Sequence, residues 1–278
     1  MGNIRAVLAA SVFVSIFVFG CSSKNNTAAI DAPVIPDAPP DAPPDAPPDA
    51  PAGDFTCLNA TQGNTADDPI TIGGVAGTVS TSGLSPLGGV VIDVFKAGVA
   101  TKVDEVTSAD VTGAFTSDNL VTGGVPFAGF VEATTTNART TFVFPSNPLA
   151  ASFPTLPVPL VDTATFGTIT TTIGVTQDDT TNGAMFVLVT DCAGMPVDKA
   201  TLTVEQAGKS VGTQFYLGIL GKQAIGAYFV FNVPDGDTDV SAKFANMQFA
   251  THTVKAFKSN ATDITAGSIT ATNVIPGP

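Results

Sequence analysis

The sequence is poor in the side chains from which most active sites are built. Its 278 residues include no Trp, two Tyr and a single His. With His252 as the only imidazole, an HExxH zinc motif and a cage of several histidines are both excluded. The scarcity of Trp and Tyr also leaves little material for an aromatic platform that stacks on sugars. These absences argue against an enzyme.

Basic residues are scarce too, since 11 Lys or Arg stand against 24 Asp or Glu and the formal net charge is -13. A surface of this sign repels phosphate backbones and anionic lipid headgroups. Nucleic acid is therefore excluded as a partner. A basic patch that holds the protein on a membrane surface is excluded for the same reason.

The N-terminus has the pattern of an export signal. Arg5 is the one charged residue before an apolar stretch over residues 6–19. This stretch is shorter than the roughly 20 residues that a bilayer-spanning helix needs, and it has the size of a secretory h-region. The sequence therefore predicts a signal peptide over residues 1–20.

Residues 18–21, V-F-G-C, resemble the lipobox of bacterial lipoproteins, in which cleavage precedes a cysteine that carries a diacylglycerol. Phe19 departs from that pattern, because a small or modest aliphatic residue is usual there. The resemblance implies that Cys21 is lipidated and becomes the first mature residue. The alternative is an ordinary cleaved signal with an incidental cysteine. Ser22 and Ser23 are not the aspartate that retains many lipoproteins in the inner membrane, which implies the outer membrane of a bacterial envelope, on its periplasmic or exposed side.

Residues 31–51 consist mostly of Pro, Asp and Ala and cannot form a core. Proline fixes φ and removes a hydrogen-bond donor, so the run favours polyproline II, and its spaced Asp residues keep it solvated. Fully extended, it would span roughly 65 Å at about 3.1 Å per residue. A proline-rich recognition motif is the alternative, but such ligands usually carry basic residues and this run has none. We expect residues 21–54 to be the lipidated cysteine and a disordered, semi-rigid tether.

The remaining sequence predicts an all-β fold. Short runs of β-branched and aromatic residues alternate with breaks that contain Gly, Pro or Asp, and almost none has helical spacing. Residues 163–172 are rich in Thr and fit either a strand or a short helix. Strands are expected near residues 70–80, 90–95, 102–106, 114–116, 127–134 and 139–144, and near residues 184–190, 200–205, 227–231, 238–244, 252–257 and 264–271.

The two halves of this region look like copies of one another. Residues 86–95 align with residues 196–205, since Pro leads both runs and apolar residues alternate in both. Residues 113–123 align with residues 226–236, each beginning with Gly, Ala and an aromatic residue. The offset between the copies changes only from 110 to 113, which two equivalent folds with a small insertion explain.

The turns and alternation of these copies resemble the carboxypeptidase regulatory-like family, small Greek-key sandwiches similar to transthyretin. The pattern runs through residues 79–94 and 113–123, and again through residues 189–204 and 226–236. The resemblance implies two tandem Greek-key β-sandwich domains after the signal peptide and tether. With the connection included in the first, they cover residues 55–178 and 179–278. It implies a fold and no activity.

Two apolar pairs at a spacing of two residues should face the space between the sheets, because side chains alternate along a strand. An aromatic residue on an opposing strand should fill the space beside each pair. These sets are Ile92 and Val94 with Phe115, and Leu202 and Val204 with Tyr228.

The cysteines predict a disulfide. With Cys21 lipidated, Cys57 and Cys192 remain, an even number in an oxidising compartment. We expect them to tie the segment after the tether to the first turn of the second copy. The alternative is two buried free thiols. The pair lacks CxxC spacing, which argues against redox catalysis.

One group of carboxylates is weighed as a metal site. Asp235, Asp237 and Asp239 alternate as in the first half of a calcium loop. The glycine expected next is replaced by Val240, and no glutamate closes the loop. We therefore favour a solvated hairpin turn over a Ca²⁺ site and expect no cofactor other than the lipid.

The sequence thus favours a non-catalytic, lipid-anchored extracytoplasmic protein with a binding, adhesion or envelope-structural role. Its partners would be the membrane, through the lipid, and a protein or other envelope component. The alternative is a small-ligand or calcium-binding accessory lipoprotein of an envelope enzyme complex.

Overall fold

Strands dominate the computed structural model, which describes residues 53–80, 83–217, 226–258 and 267–277. The predicted signal peptide, Cys21 and nearly all of the predicted tether lie outside these residues. The all-β prediction is confirmed, with one helix, α1, at Thr163–Ile173. The strands are β1 Ile72–Ser80, β2 Gly83–Pro86, β3 Val91–Lys96, β4 Lys102–Thr107, β5 Ala114–Thr116, β6 Gly129–Thr134, β7 Thr140–Phe144, β8 Phe153–Leu160, β9 Asn182–Val189, β10 Thr201–Gln206, β11 Lys209–Ser210, β12 Thr213–Tyr216, β13 Ala227–Pro234, β14 Gly236–Phe244, β15 Met247–Gln248, β16 His252–Ala256 and β17 Ser268–Val274.

These strands form three sheets. The first outer sheet has the order β2-β1-β5, with β8 also paired to β1. The central sheet has eight strands in the order β12-β13-β9-β17-β7-β6-β3-β4. The second outer sheet has the order β11-β10-β14-β15, with β16 also paired to β14.

The two copies predicted from the sequence fold alike. In each copy, the carbonyl of a glycine with positive φ accepts a hydrogen bond from a main-chain N–H of the copy's first strand. Ala76 donates to Gly113 at 2.9 Å, and Val189 donates to Gly226 at 2.7 Å. A Cβ on Gly113 would lie 2.2 Å from the carbonyl oxygen of Ala76, and one on Gly226 would lie 2.6 Å from that of Val189. The pairing registers also repeat, with Val75 opposite Ala114 and Ile92 opposite Ala133 in the first copy, and Leu188 opposite Ala227 and Leu202 opposite Ala242 in the second.

The copies share the central sheet. The first contributes β4, β3, β6 and β7, and the second contributes β9, β13 and β12. Between them lies β17, which pairs in parallel with both β7 and β9. The described residues from 53 to 277 accordingly belong to one compact unit. The division into domains at residues 178 and 179 stays a prediction.

Two apolar cores lie on opposite faces of the central sheet. One is covered by the first outer sheet and α1, and the other by the second outer sheet. Strand β9 is buried on both faces, because Phe186 belongs to the first core and Val187 to the second. The predicted core residues are confirmed: Ile92, Val94 and Phe115 lie in the first core, and Leu202, Val204 and Tyr228 in the second.

Helix α1 settles the ambiguity at residues 163–172. Its Thr residues have modest helix propensity, so caps and packing decide its conformation. The Asp162 carboxylate accepts a hydrogen bond from the Thr165 main-chain N–H at 2.7 Å, and Gly174 ends the helix with a φ of 71°. Its buried residue, Phe166, packs 5.7 Å from the Phe231 ring.

Strand β8 was missed by sequence analysis because it contains Pro154, Pro157 and Pro159. Proline cannot donate to a sheet, and β8 is an edge strand that pairs in parallel with β1 alone among the described strands. The short strands β2, β11, β12 and β15 were missed as well. The strand expected at residues 264–271 begins only at Ser268 in the structure, and residues 259–266 lie outside the described part.

Candidate functional site

The segment that follows the predicted tether is fastened to the second copy. Cys57 and Cys192 form the predicted disulfide, with Cα atoms 5.8 Å apart. Phe55 packs against the second core, with its ring 5.7 Å from Phe244 and 6.0 Å from Phe249. The first described residues are therefore held by the second copy, although the chain continues from them into the first.

A buried carboxylate completes this junction. Asp191 accepts hydrogen bonds from the main-chain N–H groups of Asp54, at 2.9 Å, and Met195, at 2.8 Å. The main chain of Cys192 also donates to the Asp54 carbonyl at 2.8 Å. The role of Asp191 was not predicted from the sequence. Its position before a Gly- and Pro-containing turn is typical of an Asx turn and was the available signal.

The segment around Gly277 contacts the same junction at Cys57. A Cβ on Gly277 would lie 1.9 Å from the Cys57 carbonyl oxygen, so the two main chains are in close contact. Because only glycine fits this approach, the C-terminal residues help to fix the junction.

The three candidate calcium ligands do not form a ligand set. Asp237 and Asp239 lie on the exposed face of β14, and the Asp239 carboxylate accepts a hydrogen bond from Thr253 Oγ1 at 2.6 Å. Asp235 precedes the strand and accepts from the Lys258 main chain at 3.3 Å. Within the described ranges, no group of three or more His, Cys, Asp or Glu is placed to hold a metal ion.

A G-x-S-x-G motif that was overlooked in the sequence lies at residues 208–212, which read G-K-S-V-G. This spacing occurs in the nucleophile elbow of serine hydrolases, where the serine sits between a strand and a helix. Here Ser210 ends β11 and lies opposite Glu205 in the hairpin from β10. The required strand-to-helix context is therefore missing at this serine.

One half of the central sheet carries aromatic rings on the face that the second core occupies elsewhere. We call Phe95, Phe130, Phe142 and Phe144 the aromatic face. The Phe130 ring stacks 5.0 Å from both Phe95 and Phe144. Phe257, just after β16, lies 3.9 Å from Phe142. Phe95 and Phe130 are only half-buried.

A groove runs beside the aromatic face, with a volume of about 460 Å³. Phe130 and Phe144 line it, as do residues 252–255 of β16 and residues 145–148 of the following loop. We call it the β16 groove. Its size lies within the range of small-molecule and peptide pockets, and apolar rings with a few polar groups suit binding.

Three carboxylates lie next to the aromatic face. Asp93 is opposite Glu105 on one side and Glu132 on the other. Lys102 forms ion pairs with Asp93, at 3.1 Å, and with Glu105. Burial, and then the charge of Asp93, raises the pKa of Glu132 above its ordinary value. The described ion pairs leave Glu132 without a cation.

His252 lines the groove with an imidazole nitrogen that lacks a partner. Its Nε2 is buried and makes no hydrogen bond within the described part of the chain. Burial lowers the pKa of His252 below its ordinary value of 6.5, against a smaller opposing effect of the Ser146 main chain.

We expect acid to destabilise the fold through His252. Its pKa is lower in the folded chain than in the unfolded chain, so the unfolded chain binds the proton more readily. The free energy of unfolding should then fall as the pH drops below about 6.5, and His252→Gln should remove this part of the dependence. Urea unfolding of both proteins at several pH values above about 5 measures it. Parallel pH profiles would contradict the assignment.

A second groove, also of about 460 Å³, is almost wholly apolar. It lies between β8 and strands β7, β9 and β17 of the central sheet. Pro157, Pro159, Leu188 and Ile275 contribute to its walls. We call it the apolar groove.

No helix in the described ranges combines the length and apolar character needed to cross a bilayer. No protein-family model matches the sequence. A search of curated proteins also found no match. The resemblance to the carboxypeptidase regulatory-like family therefore stays a prediction.

Several solved structures match this chain at low identity. The Bacillus anthracis TIE protein is 12% identical with a TM-score of 0.26, over 75% of this chain and 34% of that one, so this chain spans about a third of its length. GBS52, the minor pilin of Streptococcus agalactiae, is 10% identical with a TM-score of 0.24, over 75% and 97%. The major pilin RrgB of Streptococcus pneumoniae is 8% identical with a TM-score of 0.24, over 76% and 49%. Scores of this size support no inference about the function of this chain.

Proposed function

We propose that the chain is a lipid-anchored extracytoplasmic protein of the bacterial envelope, in which two β-sandwich modules serve a binding, adhesion or structural role without catalysis. The lipid on Cys21 holds it to a membrane, and residues 22–54 act as the tether. The outer membrane is the proposed location, as Ser22 and Ser23 imply.

The junction at Cys57 is the observation that carries this proposal. A disulfide is stable in an oxidising compartment, which agrees with export by the N-terminal signal. The disulfide, Asp191 and Phe55 hold the residues to which a tether would connect. A pull on the anchor would therefore reach both copies through the shared central sheet instead of unravelling the first copy.

Binding of a small ligand is a second candidate function, and the apolar groove favours it. Its volume suits a small apolar molecule, and apolar walls are typical of such sites. In that case the protein would act as a binding subunit for an envelope system. The carboxylates at residues 235–239 do not add a calcium site to this proposal.

Fractionation of bacteria that express the protein tests the proposed anchor. Wild-type protein should sediment with membranes, resist high salt and dissolve in detergent. Cys21→Ala should leave the membrane fraction, whereas the neighbouring control Ser22→Ala should stay in it. Equal distribution of wild type and Cys21→Ala would overturn the proposal.

A further inference from the structure

The layers around the second core differ in width. The central sheet has eight strands, whereas the second outer sheet ends at β16 on the side of the aromatic face. Phe257 covers Phe142 at the end of β16 and lies 5.5 Å from Phe130. Beyond it, Phe95 and Phe130 form a sheet face that is only half-buried. One further strand beside β16 would extend the outer sheet over these rings.

Strand β16 has an edge that can accept such a strand at Thr253. Farther along this edge, the Lys255 carbonyl and both main-chain groups of Phe257 are already bonded to Thr270 and Ser268 of β17. Strand β16 pairs with β14, and no other described strand pairs with it. The Lys255 carbonyl accepts a hydrogen bond from Thr270 Oγ1 at 3.0 Å, so it points away from β14. Alternate residues of an antiparallel strand direct their main-chain groups to the same side. The N–H and C=O groups of Thr253 therefore also point away from β14, at the β16 groove.

The charges beside the groove favour a basic occupant over an acidic one. Asp237 and Lys255, which lie opposite each other in the β14–β16 pair, contribute one charge of each sign to the groove. Lys102 is already paired with Asp93 and Glu105. Glu132 is left as a half-buried carboxylate outside these ion pairs, and its pKa is raised because desolvation and Asp93 outweigh the opposing charge of Lys102. A cation supplied by a partner would stabilise the charged form of Glu132.

We propose that the β16 groove binds an extended basic segment of another protein, which pairs as an added strand with the edge of β16 at Thr253. Main-chain hydrogen bonds to Thr253 hold the segment in register, as in other cases of strand addition. Its inward side chains alternate with outward ones, so apolar residues rest on Phe95 and Phe130 and a Lys or Arg reaches Glu132. This inference rests on the binding role proposed above and names its partner class.

The test uses synthetic peptides and the full chain purified in detergent. The probe is a fluorescent peptide of sequence T-V-T-K-T-V-T-K-T, whose Val and Lys residues share one face. A matched peptide carries Glu in place of each Lys. Two further versions carry N-methyl groups on alternate amides, one version for each edge of the peptide strand. Fluorescence anisotropy measures the affinity of each.

The expected result is saturable binding of the basic peptide and at least tenfold weaker binding of the acidic one, roughly the scale of a lost charge pair. One N-methylated version should lose binding and the other should keep it, because only one peptide edge faces β16. Glu132→Gln should weaken binding of the basic peptide by about tenfold. The control Glu205→Gln, on β10 at the far side of β14, should leave it unchanged.

Absence of binding by the basic peptide would overturn the proposal. It would also be overturned if the acidic peptide bound equally well, if both N-methylated versions bound alike, or if Glu132→Gln and Glu205→Gln had the same effect. These measurements do not depend on the lipid, since they are made in detergent. Failure of the groove is therefore distinguishable from failure of the anchor, which fractionation of Cys21→Ala reports.

Discussion

Replacing Cys57 and Cys192 together by serine should lower the free energy of unfolding by about 5 kcal/mol. The disulfide joins residues 135 positions apart, and in the chain-entropy treatment a loop of this length restricts the unfolded chain by about that amount. The variant also frees the first described residues from the second copy, which leaves Phe55 and Asp191 to hold them. The loss should thus appear both as lower stability and as a looser N-terminal junction.

Urea unfolding with and without a reducing agent measures this effect. Reduction should shift the unfolding midpoint of the wild-type protein toward that of the double serine variant. The double variant is its own control, because reductant should leave its midpoint unchanged. Identical midpoints for oxidised wild type and the variant would show that the crosslink contributes nothing to stability.

Phe115→Ala should cost about 3 to 5 kcal/mol, the usual range for removing a buried phenylalanine side chain. Phe115 is 5% exposed and belongs to the first core with Ile92 and Val94. The same change at Tyr228, the equivalent position of the second copy, also removes a hydrogen bond to the Ala200 carbonyl.

Val111→Ala is the matched control for Phe115→Ala. Val111 lies in the turn before β5 and is 88% exposed, so its truncation should change stability by less than about 0.5 kcal/mol. Thermal and urea unfolding of the three proteins give the comparison. A midpoint for Phe115→Ala equal to that of Val111→Ala would remove Phe115 from the core.

Local patterns in the sequence were enough to predict the repeat and most strands. The alignment of Gly113 with Gly226 reflects a backbone conformation and a close approach that only glycine satisfies. The residue type at each position therefore predicts the local structure without knowledge of distant partners. Alternation likewise placed Ile92 and Leu202 in the cores, because a strand with one buried face has a period of two. The disulfide followed from compartment and cysteine number alone.

Other features depend on partners that are distant in the sequence. Nothing local in β17 indicates that it joins β7 to β9 in parallel, more than a hundred residues from the first of them. Strand β8 was hidden by its prolines, which an edge position allows. Asp191 takes its role from a hydrogen bond with Asp54, and Phe55 takes its role from packing against Phe244, each more than a hundred residues away in the sequence. The β16 groove exists only because the two stacked sheets differ in width.

The proposed attachment point and the proposed binding site lie on different parts of the fold. The junction of Cys57, Asp191 and Gly277 fixes the place where the tether would begin. The edge of β16 at Thr253 and the aromatic face lie on strands that this junction does not use. Attachment and binding are thus assigned to separate residues, and variants at one should leave the other intact.

Intact-mass spectrometry of the mature protein, purified in detergent from bacterial cells, tests the anchored state most directly. The account predicts a chain that begins at Cys21 and carries the added mass of a diacylglycerol. It also predicts that this species is missing when Cys21→Ala is expressed. A wild-type chain that begins elsewhere, or that begins at Cys21 without added lipid, would contradict the account.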